Sequence, residues 1–284
     1  MKKRLITVIA IMSLALLGTA CHKQTDSSKE SVQSSKTTKK KSDTKKQSSK
    51  KSSSSGQQSN SSEQSSSSSK SQSQSSSSAA QDRLSMITTA LRQALPGEKF
   101  PQTGINGNVA TLSSRYTGNQ QNYVVYYYTS DDAVDFNDDR LLNRQASLTL
   151  QKITYSSVSA AQNAIDYREP ASGLPKVDLG TDIFATKEGA AGSTYLNWTE
   201  GRWSLVTRAS SVNNEVGEPL AKKVVALLHT KMLPIPDQHG AINLYVPSSA
   251  GSRMNTVSWS KGNAVYTIAA VDPIMAIEAA TSLE

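Results

Sequence analysis

The chain has 284 residues, one cysteine and a formal net charge of +8. Residues 1–21 carry three basic residues and no acidic ones, residues 22–80 carry 11 Lys and four acidic residues, and residues 81–284 carry 17 basic and 19 acidic residues. The positive charge therefore belongs to the N-terminal third, and residues 81–284 lack the basic excess of a nucleic-acid-binding domain. The single cysteine also excludes an intramolecular disulfide.

The first 20 residues have the order of an export signal. Lys2, Lys3 and Arg4 precede an uncharged apolar run over residues 5–17, and small residues follow it. A run of this length is shorter than the roughly 20 apolar residues that span a bilayer. The pattern predicts a signal peptide over residues 1–20.

Cys21 ends the segment Leu16, Leu17, Gly18, Thr19, Ala20, Cys21. This segment resembles the lipobox of bacterial lipoproteins, whose cysteine is diacylated and becomes the new N-terminus. Gly18 stands where that family prefers Leu, and Gly18 with Ala20 also fits the small-x-small rule of an ordinary secretory signal. The resemblance implies a palmitate-type lipid anchor on Cys21 at the extracellular face of the cell membrane, where two acyl chains anchor stably.

Residues 21–80 form the predicted linker after the cysteine. Residues 22–80 contain 26 Ser and 11 Lys, and they contain no Phe, Tyr or Trp. A segment with so little apolar surface cannot offset the entropy of ordering, so the sequence predicts disorder through the N-terminal third. Its lysines could be attracted to anionic lipid head groups or anionic wall polymers. A spacer that serves only solubility and reach is the alternative.

Residues 81–284 are long enough for one α+β domain or for two subdomains, 81–170 and 171–284. Apolar residues at helical spacing predict a first helix over residues 82–95, which Pro96 and Gly97 end. Strand patterns follow at residues 108–115, 123–129 and 147–155, and helix patterns at 138–146 and 158–167. The fold class is α+β, with antiparallel sheets built from β-hairpins and packed helices.

Residues 193–208 predict a β-hairpin. If Glu200 and Gly201 form its loop, Trp198 faces Trp203 and Leu196 faces Leu205. The opposite face then carries polar and aromatic residues, namely Ser193, Tyr195, Asn197, Ser204 and Arg208. One face suits a core and the other suits solvent, so the register should be well specified.

A second hairpin near the C-terminus repeats this pattern. Gly262 and Asn263 form its predicted loop, so that Trp259 faces Tyr266. Each hairpin precedes a predicted helix, at residues 218–232 and 274–283. A looser third case at residues 116–119 precedes the helix pattern at 138–146. The repetition indicates a diverged internal duplication, with chance similarity as the alternative.

An acidic cluster at residues 131–139 is the one charge pattern that suggests a metal. Asp135, Asn137 and Asp139 have the spacing of the first three ligands of an EF-hand loop. Arg140 stands where that loop needs glycine, and Ala146 stands where it needs the bidentate glutamate. The cluster therefore favours helix capping over calcium, and we expect no cofactor.

Tyrosines on the predicted strands are the candidate ligand-binding residues, in particular Tyr126, Tyr128 and Tyr195, because aromatic faces pack against sugars and peptides. Residues 81–284 contain no G-x-S-x-G motif, no zinc-binding spacing and no glycine-rich phosphate loop. This pattern favours a non-enzymatic binding domain. A solute-binding lipoprotein of a transporter and a cell-envelope hydrolase are the alternatives.

The layout of signal, lipobox, Ser/Lys-rich linker and modest α+β domain resembles that of surface lipoproteins of lactobacillus-type Gram-positive bacteria. The resemblance implies a location on the cell surface. It implies no particular ligand.

Overall fold

The described part of the chain contains four α-helices and ten strands, with the strands in runs between the helices. The computed structural model describes residues 68–105, 109–130, 132–246 and 253–284, with side chains from Gln81 onwards. The predicted signal peptide, Cys21, residues 22–67 and Asp131 lie outside the described residues. The helices and strands are α1 (Ser68–Ala94), β1 (Ser113–Gly118), β2 (Tyr123–Tyr128), β3 (Leu148–Thr154), α2 (Val158–Asn163), β4 (Lys176–Gly180), β5 (Ile183–Ala190), β6 (Ser193–Glu200), β7 (Trp203–Ser210), α3 (Glu218–Leu228), β8 (Gly240–Val246), β9 (Asn255–Lys261), β10 (Ala264–Ala270) and α4 (Pro273–Thr281).

All ten strands belong to one sheet, in the order β1-β2-β3-β10-β9-β8-β7-β6-β5-β4. The prediction of several antiparallel sheets is therefore wrong, although the mixture of helices and sheet is present. β7 and β8 pair in parallel, and the other neighbours are antiparallel. A parallel pair needs a crossover connection, and α3 supplies it. The described residues belong to one unit, Ser62–Glu284.

Helices α1, α3 and α4 cover one face of the sheet. Their apolar residues, among them Leu91, Val224 and Ile277, form a single core with inward residues of the strands. Alternation along each strand sends every second side chain into this core. The short helix α2 instead packs on the opposite face, where Ala161 meets Ala241 and other residues.

Helix α1 extends further towards the N-terminus than its pattern predicts. It begins at Ser68, whereas the apolar spacing begins near residue 82. No Gly or Pro lies between Gly56 and Pro96, so the sequence contains no strong stop in this interval. The predicted apolar stripe is confirmed, because Ile87, Leu91 and Leu95 are buried. In the part of the chain that the structure describes, no helix is long and apolar enough to cross a membrane.

The two predicted hairpins form, and one has the predicted register. In the second hairpin Trp259 pairs with Tyr266, as predicted. In the first, Glu200 pairs with Trp203 and Trp198 pairs with Leu205, so the predicted Trp198–Trp203 pair is wrong. Both loops place glycine first, with φ of 59° at Gly201 and 58° at Gly262, which is the type II′ arrangement. Each β6 residue pairs with a β7 residue two positions further along the chain than predicted. Because side chains alternate with a period of two, each one keeps its predicted face of the sheet.

Two other predicted segments are largely irregular. Residues 108–115 contain a short 3-10 helix, Val109–Thr111, before β1 begins at Ser113. Within residues 138–146 only Asp139–Leu141 is helical, as a 3-10 turn. Leu141 and Ala146 are buried against Tyr128 and Val134 along the irregular connection from β2 to β3. This tertiary contact outweighs the weak helical spacing.

A row of aromatic side chains crosses the helix-covered face of the sheet. The register aligns Trp203, Gly240, Trp259 and Tyr266 on neighbouring strands. A Cβ at Gly240 would lie 2.5 Å from the Trp203 ring, so only glycine leaves room for the indole. Trp203 and Trp259 then pack with ring centroids 6.5 Å apart, and Trp259 stacks on Tyr266 at 5.4 Å.

We expect Gly240→Ala to lower the free energy of unfolding by about 1–3 kcal/mol, because overpacking displaces Trp203. Gly189→Ala is the matched control on β5, where a Cβ meets nothing within 4 Å. The control should change stability by less than about 1 kcal/mol. Urea unfolding monitored by tryptophan fluorescence measures both, and equal losses in the two variants would contradict the packing account.

Candidate functional site

The face of the sheet opposite α1, α3 and α4 is only partly covered. Helix α2 and residues near Tyr167 cover it over Ala241 and Val265. Residues 132–146 cover it beside Tyr128. Between these two covers, outward side chains of the central strands range from buried, as at Val206 and Thr149, to exposed, as at Arg208. We call this surface the open face.

Three residues in register form the most distinctive cluster on the open face. Arg208 on β7 pairs with Tyr195 on β6 and with Tyr245 on β8. Its guanidinium carbon lies 6.0 Å from the Tyr195 ring centroid and 5.5 Å from that of Tyr245. Its Nε donates to the Ser193 hydroxyl at 3.0 Å. The guanidinium is thus positioned by two rings and one hydroxyl.

The Arg208 cluster lies in a cleft of about 330 Å³. Arg168 also lines this cleft, but Asp166 binds its guanidinium at 2.9 Å. Within the described residues, no carboxylate forms an ion pair with Arg208. The cleft also contains an amide, a thioether and a hydroxyl, from Asn243, Met254 and Thr256.

This arrangement suits a ligand that has an oxyanion and a flat surface. The terminal nitrogens of Arg208 have the fork geometry that binds carboxylate or phosphate with two hydrogen bonds. The rings of Tyr195 and Tyr245 offer an apolar surface beside that fork. Asn243 and Thr256 add groups that can bond to hydroxyls.

A second arginine–tyrosine cluster lies near the β1 edge. The Arg115 guanidinium carbon is 4.5 Å from the Tyr126 ring centroid, and its Nε donates to the Tyr128 hydroxyl at 3.2 Å. Burial raises the pKa of Tyr128, and the positive charges of Arg115 and Arg253 oppose that rise. The described residues place no carboxylate in an ion pair with Arg115.

The three tyrosines predicted to bind a ligand all lie on the sheet face opposite α1, α3 and α4, in two separate groups, and residues 132–146 cover Tyr128. Tyr126 and Tyr128 belong to the Arg115 cluster, and their rings stack at 6.5 Å. Tyr195 belongs to the Arg208 cluster. Tyr128 is 3% exposed, so it supports its neighbours more than it presents a surface. Sequence reasoning placed Arg208 beside Tyr195 on one face, but it did not single out Arg208, Arg115 or Tyr245.

The acidic segment near β1 engages its own neighbours. Asp138 accepts from the Arg140 backbone at 2.8 Å and caps the 3-10 turn, and its pKa falls to about 2 because Arg140 donates to it. Asn137, one of the three calcium candidates with Asp135 and Asp139, accepts from the Tyr116 backbone at 2.9 Å. Among the described residues, no three His, Cys, Asp or Glu side chains are grouped to hold a metal ion.

A second cleft, of about 570 Å³, opens on the helix-covered side. Its walls include Trp259, Tyr266, Leu233 and Ile235, and Glu98 lies at its polar end. The Glu98 carboxylate is 2.5 Å from Lys152 Nζ, and both side chains are largely buried.

Glu98 accepts hydrogen bonds from two tyrosines in addition to Lys152. Tyr123 donates at 3.0 Å and Tyr266 at 3.4 Å. Burial raises the pKa of both phenols, and the charge of Glu98 raises them further. Burial by itself would lower the pKa of Lys152, but the hydrogen bond to Glu98 and the charges around it produce a net rise. Lys152 is therefore held in its charged form beneath the aromatic wall.

No family model, curated protein or solved structure matches this chain. The function must therefore be inferred from the clusters themselves.

The buried tyrosines predict a loss of stability at alkaline pH. Burial raises the pKa of Tyr123 and Tyr127 in the folded state, so the unfolded chain loses its protons first. The stability that the neutral phenols contribute is complete below about pH 10 and falls as pH rises further. Tyr127→Phe and Tyr123→Phe should each make this decline shallower in urea unfolding measured from pH 8 to 11.

The two variants should differ at pH 7. The Tyr127 hydroxyl is buried with no hydrogen-bond partner among the described residues, so Tyr127→Phe should leave stability unchanged or raise it. Tyr123→Phe removes the bond to Glu98 and should cost about 0.5–1.5 kcal/mol. A larger loss in Tyr127→Phe than in Tyr123→Phe would contradict these assignments.

Proposed function

We propose that this chain is a membrane-anchored extracellular lipoprotein whose C-terminal domain binds an envelope or extracellular ligand without catalysis. The lipobox-like segment ending at Cys21 supports the anchor, and the Ser/Lys-rich composition of residues 22–80 supports a tether. The open face supports the binding role.

The observation that carries the proposal is the state of Arg208. It is exposed, stacked between Tyr195 and Tyr245, and without a carboxylate partner in the described part of the chain. Holding a charged side chain in one geometry costs conformational entropy. An arginine that is positioned in this way, with its terminal nitrogens directed to no protein carboxylate, is suited to a ligand's oxyanion.

The anchor predicts a change of location in Cys21→Ala. Loss of the acyl chains should release the cleaved protein from the membrane fraction into the medium, because two chains provide stable anchoring. Immunoblots of membrane and culture-medium fractions measure this, with Ser27→Ala in the linker as the control. Retention of Cys21→Ala in the membrane fraction would instead indicate an uncleaved signal anchor.

The binding role predicts that Arg208→Gln lowers the affinity of the domain for its ligand. We expect an oxyanion-bearing probe such as galacturonate or glycerol 3-phosphate to shift the NMR resonances of residues around Tyr195 and Tyr245. Arg208→Gln should weaken binding at least about tenfold, because a charge-assisted bidentate contact is lost. Arg92→Gln on α1 removes the same charge elsewhere and should have no effect. Equal affinity in both variants would exclude the Arg208 cleft.

The cleft beside Trp259 favours a second candidate, a solute-binding lipoprotein. It combines apolar walls with one buried charged group, which is the usual composition of a small-molecule site. A ligand whose binding is lost in Glu98→Gln and retained in Arg208→Gln would support this candidate.

We also infer the internal duplication that the sequence suggests. Two features support it: both hairpins place Trp three residues before a loop glycine, and α3 and α4 follow them.

A further inference from the structure

One continuous row of paired residues on the open face connects the two arginine clusters, because it contains Arg115 and passes beside Arg208. Starting at β6, each residue pairs with its neighbour across eight strands as far as the edge strand β1. In order, the row contains Asn197, Val206, Asn243, Thr256, Ala269, Thr149, Tyr126 and Arg115. Arg208 lies two residues beyond Val206 along β7, and Tyr245 lies two residues beyond Asn243 along β8. Both therefore belong to the adjacent row on the same face. We call these two rows the track.

The track is long and its centre is uncharged. Arg208 on β7 and Arg115 on β1 are separated by six strand spacings, which at about 4.8 Å each amounts to about 29 Å. The side chains between them are small and mostly hydroxyl, amide or methyl groups. They leave the centre of the track without bulky groups, and Asn243, Thr256 and Ala269 remain partly exposed.

A third arginine lies midway along the track. Arg253 lies two residues before β9, one of the strands between the two clusters, and its Nη1 donates to the Ala146 carbonyl at 3.4 Å. Two neighbouring carboxylates are engaged, since Asp166 binds Arg168 and Asp132 binds Arg144. Glu188 pairs with Tyr195 beyond the β6 end of the track. The paired residues of the track from Arg208 to Arg115 include no Asp or Glu, so the charge along them is positive.

The track ends at β1. The Asn137 backbone donates to Ser114 and its side chain accepts from Tyr116, so this segment covers the outer edge of β1. Asp135 and Asp139 flank it and would repel an anion that extended further. A bound anionic chain would therefore lie between the β6 side of the sheet and Arg115.

We propose that the track binds a linear polymer of sugar or polyol units that carry carboxylate or phosphate groups, lying across the strands from Arg208 to Arg115. This inference rests on the proposed binding function of the Arg208 cleft and adds its ligand class. A single unit cannot reach both arginines across about 29 Å, whereas a chain can engage them together. The tyrosine rings at each end provide surfaces for the apolar faces of the units.

Simultaneous contact at two clusters has a measurable consequence. Once one cluster holds the chain, the second binds it at a raised effective concentration, so a long chain should bind more tightly than a short one. The lysines of residues 22–80 would attract the same polymer and add to its local concentration.

The test is titration calorimetry with oligogalacturonates of two lengths, one covering a single cluster and one longer than about 29 Å. Polyphosphate of matched length is the phosphate arm, and dextran is the neutral control. We expect the long oligogalacturonate to bind at least about tenfold more tightly than the short one. Arg208→Gln should weaken both lengths. Arg115→Gln should reduce the affinity for the long chain to about that for the short chain.

Two further variants and one measurement keep the test decisive. Arg92→Gln controls for the loss of one charge, Arg115→Lys should restore part of the lost affinity, and thermal unfolding confirms that each variant folds. Equal affinity for both lengths, or no effect of Arg115→Gln, would overturn the track while leaving the Arg208 cleft intact. Dextran binding as well as galacturonate would overturn the role of charge. If no anionic polymer binds, the open face serves another partner, such as a protein, and this inference fails.

Discussion

The pairing of β7 with β8 depends on a single missing side chain. Gly240 begins β8, and the Trp203 indole occupies the space where its Cβ would be. That placement brings Trp203 against Trp259, which stacks on Tyr266, so the aromatic row links the two sides of the only parallel pair in the described sheet. Parallel pairing is slightly weaker per residue than antiparallel pairing, and this packing compensates at the joint. The rest of the sheet can then continue in antiparallel order on both sides.

The ten-stranded sheet separates two kinds of chemistry. On the helix-covered side, aromatic and aliphatic residues exclude water, and a buried ion pair, Glu98 with Lys152, is satisfied by two phenols. On the open face, Arg115 and Arg208 form no ion pair with a carboxylate of the described residues, and tyrosine rings position them. The same alternation of side chains produces both faces, because each strand sends neighbouring residues in opposite directions. Arg208 is therefore exposed for the same reason that Leu205 and Thr207 are buried.

Sequence patterns predicted which face of the sheet a side chain occupies better than they predicted which strands pair. The apolar stripe of α1, the second hairpin and the inward side of β6 and β7 followed from local spacing and turn chemistry. The first hairpin had the wrong register because glycine takes the first loop position of a type II′ turn, not the second. The parallel pair, the strand order and the row that joins Tyr126 to Asn197 depend on contacts between distant segments, which no local pattern contains. Tyr195 could be selected from its strand, but its partnership with Arg208 and Tyr245 required the order of β6, β7 and β8.

The position of α1 has a mechanical consequence. This helix begins at Ser68, packs on the helix-covered side through Ile87 and Leu91, and is tied to the β1 region by hydrogen bonds from Arg83 to the Leu112 and Val134 carbonyls. If the proposed anchor and polymer site are both present, the tether would join α1 on the helix-covered side, while the polymer would lie on the opposite face. Tension between these two attachments would cross the thickness of the sheet, and the bonds of Arg83 and the apolar contacts of α1 would be the first to bear that load.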